Sequence, residues 1–175
     1  MSFVSRWVKR FKPLEIEDGF FGHLVYVKAT STKFPYWVAW RHFSPCSSEI
    51  KLFIDAPGPG LPPNEGQRAF YDWVEQDYKL IFAKVEIALP PVFEPLMQEQ
   101  SMLVPFSKVF AAPFSTAFHL TSFSMPAPQD GMEPEWEMSF ESNSKPDFLV
   151  QVDLIGANPQ PDIFVDFVDH APARF

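Results

Sequence analysis

Only one long stretch of this chain repeats at the helical spacing, and segments of period two stand on both sides of it. Phe70, Val74, Tyr78, Ile81, Val85 and Leu89 recur every three or four residues. That spacing lays an apolar stripe along one face of a helix of about seven turns, over 64–89. Asn64 followed three positions later by Gln67 supplies an N-cap and its reciprocal partner, and Pro62–Pro63 bars an earlier start. Pro90–Pro91 ends or kinks the helix, with "VFEPLMQEQ" offering a further turn or two.

The flanking segments read as strands. Before the helix, within 20–56, stand "FGHLVYVKA", "YWVAWRHF" and "EIKLFID", the last setting Ile50, Leu52 and Ile54 against Lys51, Phe53 and Asp55. The short connections "TSTKFP" and "SPCSS" favour antiparallel neighbours. Residues 101–117 read as irregular, interrupted by Pro105 and Pro113. Within 118–168 the period returns to two in "FHLTSFSM", "EWEMSF", "DFLVQVDLIG" and "DIFVDFV", separated by "PAPQDGMEP", "ESNSKP" and "ANPQP". Strands, one long helix, then strands without intervening helices predict an α+β fold. The expected architecture is a mainly antiparallel twisted sheet of about six or seven strands, with the helix packed across it. No repeat or long linker divides the chain, so residues 1–175 read as a single domain.

The loop entering the helix, "GPGLPPNEGQ", has the strand–loop–helix plan of a phosphate cradle. Pro59, Pro62 and Pro63 offer it no N–H groups, and it lacks the GK[ST] ending of a P-loop and the spacing of a dinucleotide fingerprint. Glu65 in the first helical turn repels an anion while favouring the helix dipole. The loop is a connector, and no cofactor is expected.

Charge narrows the partners. The net charge is −8, and Arg6, Lys9, Arg10 and Lys12 face no acid in the first twelve residues, which leaves −12 on the remainder. An acidic body disfavours nucleic acid and favours encounter with a basic protein. In 1–12, Phe3, Val4, Trp7, Val8 and Phe11 stand at helical spacing, predicting a short basic amphipathic helix. It either packs on the acidic, aromatic-rich body or attaches to an anionic membrane surface. No window is apolar enough for a membrane helix and the single Cys46 fits a reducing compartment, so the expectation is a cytoplasmic protein. Its aromatic strand edges are compatible with a homodimer.

An ordered pattern runs through residues 20–168. It comprises Phe21, Gly22, Leu24 and Tyr26, a strand carrying Trp37 or Trp40, and "EIKLFID". Gln67, Phe70, Trp73, Leu80, Val85, Ala88 and Leu89 follow along the helix, then "W.M.F" and "FLVQVDLIG". The pattern resembles a broad bacterial group of small α+β domains of unknown function, some of which resemble toxin-immunity proteins. The basic N-terminus and the Pro-rich 101–117 depart from that pattern. The resemblance implies a binding function and carries no catalytic residue over.

Searching for chemistry gives one coherent surface. In "PEWEMSFES" Trp136, Met138 and Phe140 share one strand face, while Glu135, Glu137 and Glu141 share the other. Asp153 in "DFLVQVDLIG" and Asp166 in "DIFVDFV" join them if the strands are neighbours. Like charges facing one another destabilise a sheet. A basic partner explains that cost, and so does a need for solubility. The alternative is a hydrolase whose metal is held near the C-terminus by Asp162, Asp166, Asp169 and His170. Elsewhere, His42 with Cys46 suggests a nucleophile–base pair lacking its orienting group, and His23 with His42 a half-formed metal site. The bland alternative for each is an ordinary strand or turn residue. The leading expectation is a non-catalytic, immunity-type binding protein.

Overall fold

The computed structural model describes residues 13–30, 34–89, 113–129, 131–143 and 148–167, and for 148 and 161–167 the backbone only. Its core element is one eight-stranded sheet in simple sequence order. The strands are β1 (Glu15–Asp18), β2 (Gly22–Val27), β3 (Tyr36–Phe43), β4 (Ser48–Asp55), β5 (Phe118–Met125), β6 (Glu135–Ser142), β7 (Phe148–Ile155) and β8 (Asn158–Phe167). Every neighbouring pair is antiparallel except β4–β5, which is parallel. A parallel pair needs a crossover, and helix α1 (Glu65–Ala88) belongs to it. The α+β class and, among the described residues, the one long helix agree with the sequence reading.

The helix begins as its cap dictates. Asn64 Oδ1 accepts from the Gln67 N–H at 3.0 Å, and Gln67 Oε1 accepts from the Asn64 N–H at 3.1 Å. Gln67 is fully buried, and its Nε2 donates to Asp55 O at 2.7 Å, tying the helix start to the end of β4. The apolar stripe then docks on the sheet. Tyr71, Val74, Tyr78, Ile81 and Val85 are buried against Phe43, Leu52, Ile54, Phe123 and Phe140. Each such side chain contributes about 1.5–3 kcal/mol by leaving water. Ring contacts follow, with Phe43 5.2 Å from Tyr78 and 5.7 Å from Phe123.

Three elements differ from expectation. Among the described residues the strands number eight, because the four-residue edge strand β1 is too short to show a period. It is fastened by its turn: Asp18 Oδ1 accepts from the N–H groups of Phe20 and Phe21, both at 2.8 Å, and Gly22 turns the chain at φ 76°. "ANPQP" is largely strand rather than separator, since Ile155 pairs with Asn158 and leaves only Gly156 (φ 55°) and Ala157 as the hairpin. Pro159 is tolerated there because β8 is an edge. Within 101–117, Phe114–Ala117 form a single helical turn, α2, with the Phe114 ring stacked 4.6 Å from Phe118. The expected helix over 1–12 and the extension over 92–100 lie outside the described residues. No helix among the described residues is long and apolar enough to cross a membrane.

Candidate functional site

Both helices lie on one face of the sheet, and among the described residues no helix or strand packs on the other. Alternation along the strands decides what that uncovered face carries. Its β3–β4 part holds Tyr36, Trp40, Lys51 and Phe53, with Trp40 53% exposed. The Lys51 ammonium sits 4.8 Å from the Phe53 ring centre and 5.5 Å from that of Trp40. Its middle is small and hydroxylated, with Ser122, Ser124 and Ser139. Its β6–β8 part is acidic.

The register places the expected carboxylates. Glu137 stands directly opposite Asp153, and Glu141 opposite Leu149, which in turn faces Asp166 on β8. Glu135, Glu137, Glu141, Asp153 and Asp166 therefore occupy one sheet face at the level of register. Glu137 is the best held of them. Its Oε1 accepts from Gln151 Nε2 at 3.1 Å and from Ser139 Oγ at 3.2 Å. Its backbone N–H donates to Ser124 Oγ at 2.8 Å. These dipoles offset the repulsion from Asp153. Glu137 and Glu141 line an open groove of about 510 Å³ together with Tyr36, Lys51, Phe53 and Gln151.

Glu135 goes elsewhere. It lines a second cavity, of about 670 Å³, at the carboxyl ends of β4 and β5 beside the start of α1. Asp55 borders both hollows. Burial pushes the Asp55 carboxyl up, and a hydrogen bond from the Ala127 N–H works against that rise. Sequence reasoning missed this second cavity and the aromatic flank of the groove. Alternation had grouped Lys51, Phe53 and Asp55, but nothing local announced that β4 lies next to β5.

The remaining candidates separate. Cys46 is half-buried; desolvation pushes its thiol up, and a side-chain hydrogen bond with Tyr78 offsets only part of the rise. An activated nucleophile needs the opposite shift. His23 is engaged by β1, with Glu17 Oε1 2.8 Å from Nδ1 and Glu15 Oε2 3.8 Å from Nε2, while His42 stands opposite Glu49. Asp162 and Asp166 are placed on β8 by backbone alone, and Asp169 and His170 lie outside the described residues. Among the described residues, no group of three His, Cys, Asp or Glu side chains is placed to hold a metal. The loop before α1 is pinned inward, Trp37 Nε1 donating to Leu61 O at 2.7 Å.

Comparison of the chain with protein-family models, with curated proteins and with solved structures finds no match.

Proposed function

We propose that this chain is a non-catalytic binding protein, of the immunity type, that engages a basic protein through the uncovered face of its sheet. One observation carries the reading: Glu137, Glu141 and Asp153, with Asp166 by register, stand on one face of β6–β8, Glu137 directly opposite Asp153, beside the exposed Trp40 and the half-buried Tyr36 and Phe53, with no described element packed over them. Cross-strand carboxylate pairs cost a free sheet stability, and a cationic surface laid on them reverses the sign. The −12 carried by the chain beyond residue 12 would speed encounter, and Trp40, Tyr36 and Phe53 would supply apolar anchorage. A cytoplasmic setting belongs to the same proposal.

The test begins with affinity capture from native lysate at low and high salt, with bound proteins identified. A basic protein retained at low salt and weakened at high salt is expected. Its association with the Glu137→Lys/Asp153→Lys variant should then slow by about tenfold or more, since charge steering acts on the association rate. Unchanged association with that variant would put the interface elsewhere.

A further inference from the structure

The cavity beside the start of α1 shares Asp55 with the sheet-face groove and is otherwise lined by different residues. β4 and β5 are the one parallel pair among the described strands, and the chain leaves β4 to cross over through α1. The carboxyl ends of this pair are Asp55 and Met125, the side of parallel strands on which open α/β sheets place their ligands. The cavity lies there. Its volume, about 670 Å³, falls within the range of small-molecule sites. A single inserted side chain would leave most of it empty.

Its wall is aromatic and braced. Phe70 and Trp73 line it, their ring centres 5.5 Å apart. Behind them stands the buried Trp136, 5.3 Å from Phe70 and 6.1 Å from Trp73. Trp136 is itself fixed, its Nε1–H donating to Gly156 O at 2.7 Å. Met132, 64% exposed, extends the apolar wall.

Its charged side chains are of one sign. Asp55, Glu133 and Glu135 line the cavity, and no Lys, Arg or His is among the described residues that do. None of the three takes part in the ion pairs found among the described residues. The helix start does not make the cavity an anion site. Asn64 already occupies the Gln67 N–H, and Glu65 adds another negative charge there.

Aromatic rings beside carboxylates, with no Lys, Arg or His among the described lining residues, select positive charge on an apolar body. We infer that this cavity binds a small organic cation, an ammonium or guanidinium group on a short apolar stem, with the charge toward Asp55, Glu133 and Glu135 and the stem on Phe70 and Trp73.

The experiment titrates the full chain with benzylammonium and butylguanidinium, with neutral benzyl alcohol and a short arginine-rich peptide as comparisons. Binding is read by ¹H–¹⁵N correlation spectra that include the tryptophan indole N–H signals. A cation should move the Trp73 signal saturably, and benzyl alcohol should bind at least about tenfold more weakly. Trp73→Leu and Asp55→Asn should each weaken binding about tenfold, and Glu133→Gln, an exposed substitution, keeps the test open if either disturbs folding. Glu141→Gln, in the other groove, should leave cation binding unchanged, so loss of the sheet-face proposal and loss of this one read out separately. Four results would overturn the inference. No saturable shift up to about 10 mM cation rejects a site. Equal binding of benzyl alcohol makes the cavity merely apolar. Binding of the peptide alone makes it a protein contact. Unchanged binding in folded Trp73→Leu and Asp55→Asn variants locates the cation elsewhere.

Discussion

Gly66 sits in the first turn of α1, where an alanine would ordinarily help the helix by up to about 1 kcal/mol. The surroundings reverse that expectation. A Cβ on Gly66 would lie 2.4 Å from Pro128 Cγ and 3.2 Å from Pro128 Cβ. Carbon atoms pack at about 3.5–4.0 Å, so the loop carrying Pro128 would have to retreat by about 1 Å. The ring is tied to its backbone and cannot swing aside as a long side chain could. Overpacking of this kind costs about 1–3 kcal/mol, which exceeds the helical gain. Gly66→Ala is therefore expected to destabilise the protein by about 1 kcal/mol, read in urea titrations with an unchanged slope and as a melting point about 2–4 °C lower. In a Pro128→Ala background the 2.4 Å contact to Cγ disappears while those to Cβ at 3.2 Å and to Asn64 Oδ1 at 3.3 Å remain, and the same substitution should cost markedly less. A coupling of about 1 kcal/mol in that cycle is the expected signature. A single Gly66→Ala variant more stable than the parent would refute the seating of this loop on the helix start, and with it the shape of the cavity both of them line.

Three further outcomes follow from the same contacts. Asn64→Ala should cost about 1 kcal/mol as a lost cap, and Gln67→Ala more, because it also strips Asp55 O of a buried donor; chemical denaturation measures both. Burial raises the Asp18 carboxyl, but the N–H groups of Phe21 and Phe20 and the Arg68 guanidinium outweigh it and hold the carboxyl below its ordinary 3.8. Its stabilisation is therefore complete above that value and is lost as pH falls through the depressed folded value. Asp18→Asn should cost about 1 kcal/mol near neutrality, discounted for the partial exposure of Arg68, and the gap to the parent should close in acid melts. Cys46, its thiol pushed up by burial, should react with iodoacetamide at neutral pH far more slowly in the native chain than in urea.

Local chemistry decided a large part of this protein. Capping, period and proline placement are properties of a few adjacent residues, so Asn64, Gln67 and the stripe from Phe70 to Leu89 announced the helix to within a residue of its ends. The same alternation put Glu135, Glu137 and Glu141 on one side of their strand. The four residues of β1 and the two-residue turn at Gly156–Ala157 escaped it, because the first is shorter than a readable period and the second lies under a proline-rich disguise.

Who stands beside whom belonged to the tertiary structure alone. Only the pairing of β6 with β7 sets Glu137 against Asp153, and only the crossover through α1 lays β5 parallel to β4. That crossover gathers Asp55, Trp73 and Glu135, far apart in sequence, around one cavity, and Glu135 lines it rather than the groove of Glu137 and Glu141. Strand pairing is a choice among long-range contacts of nearly equal local merit. It is made by burying one face as a whole, and no short window of the chain contains it.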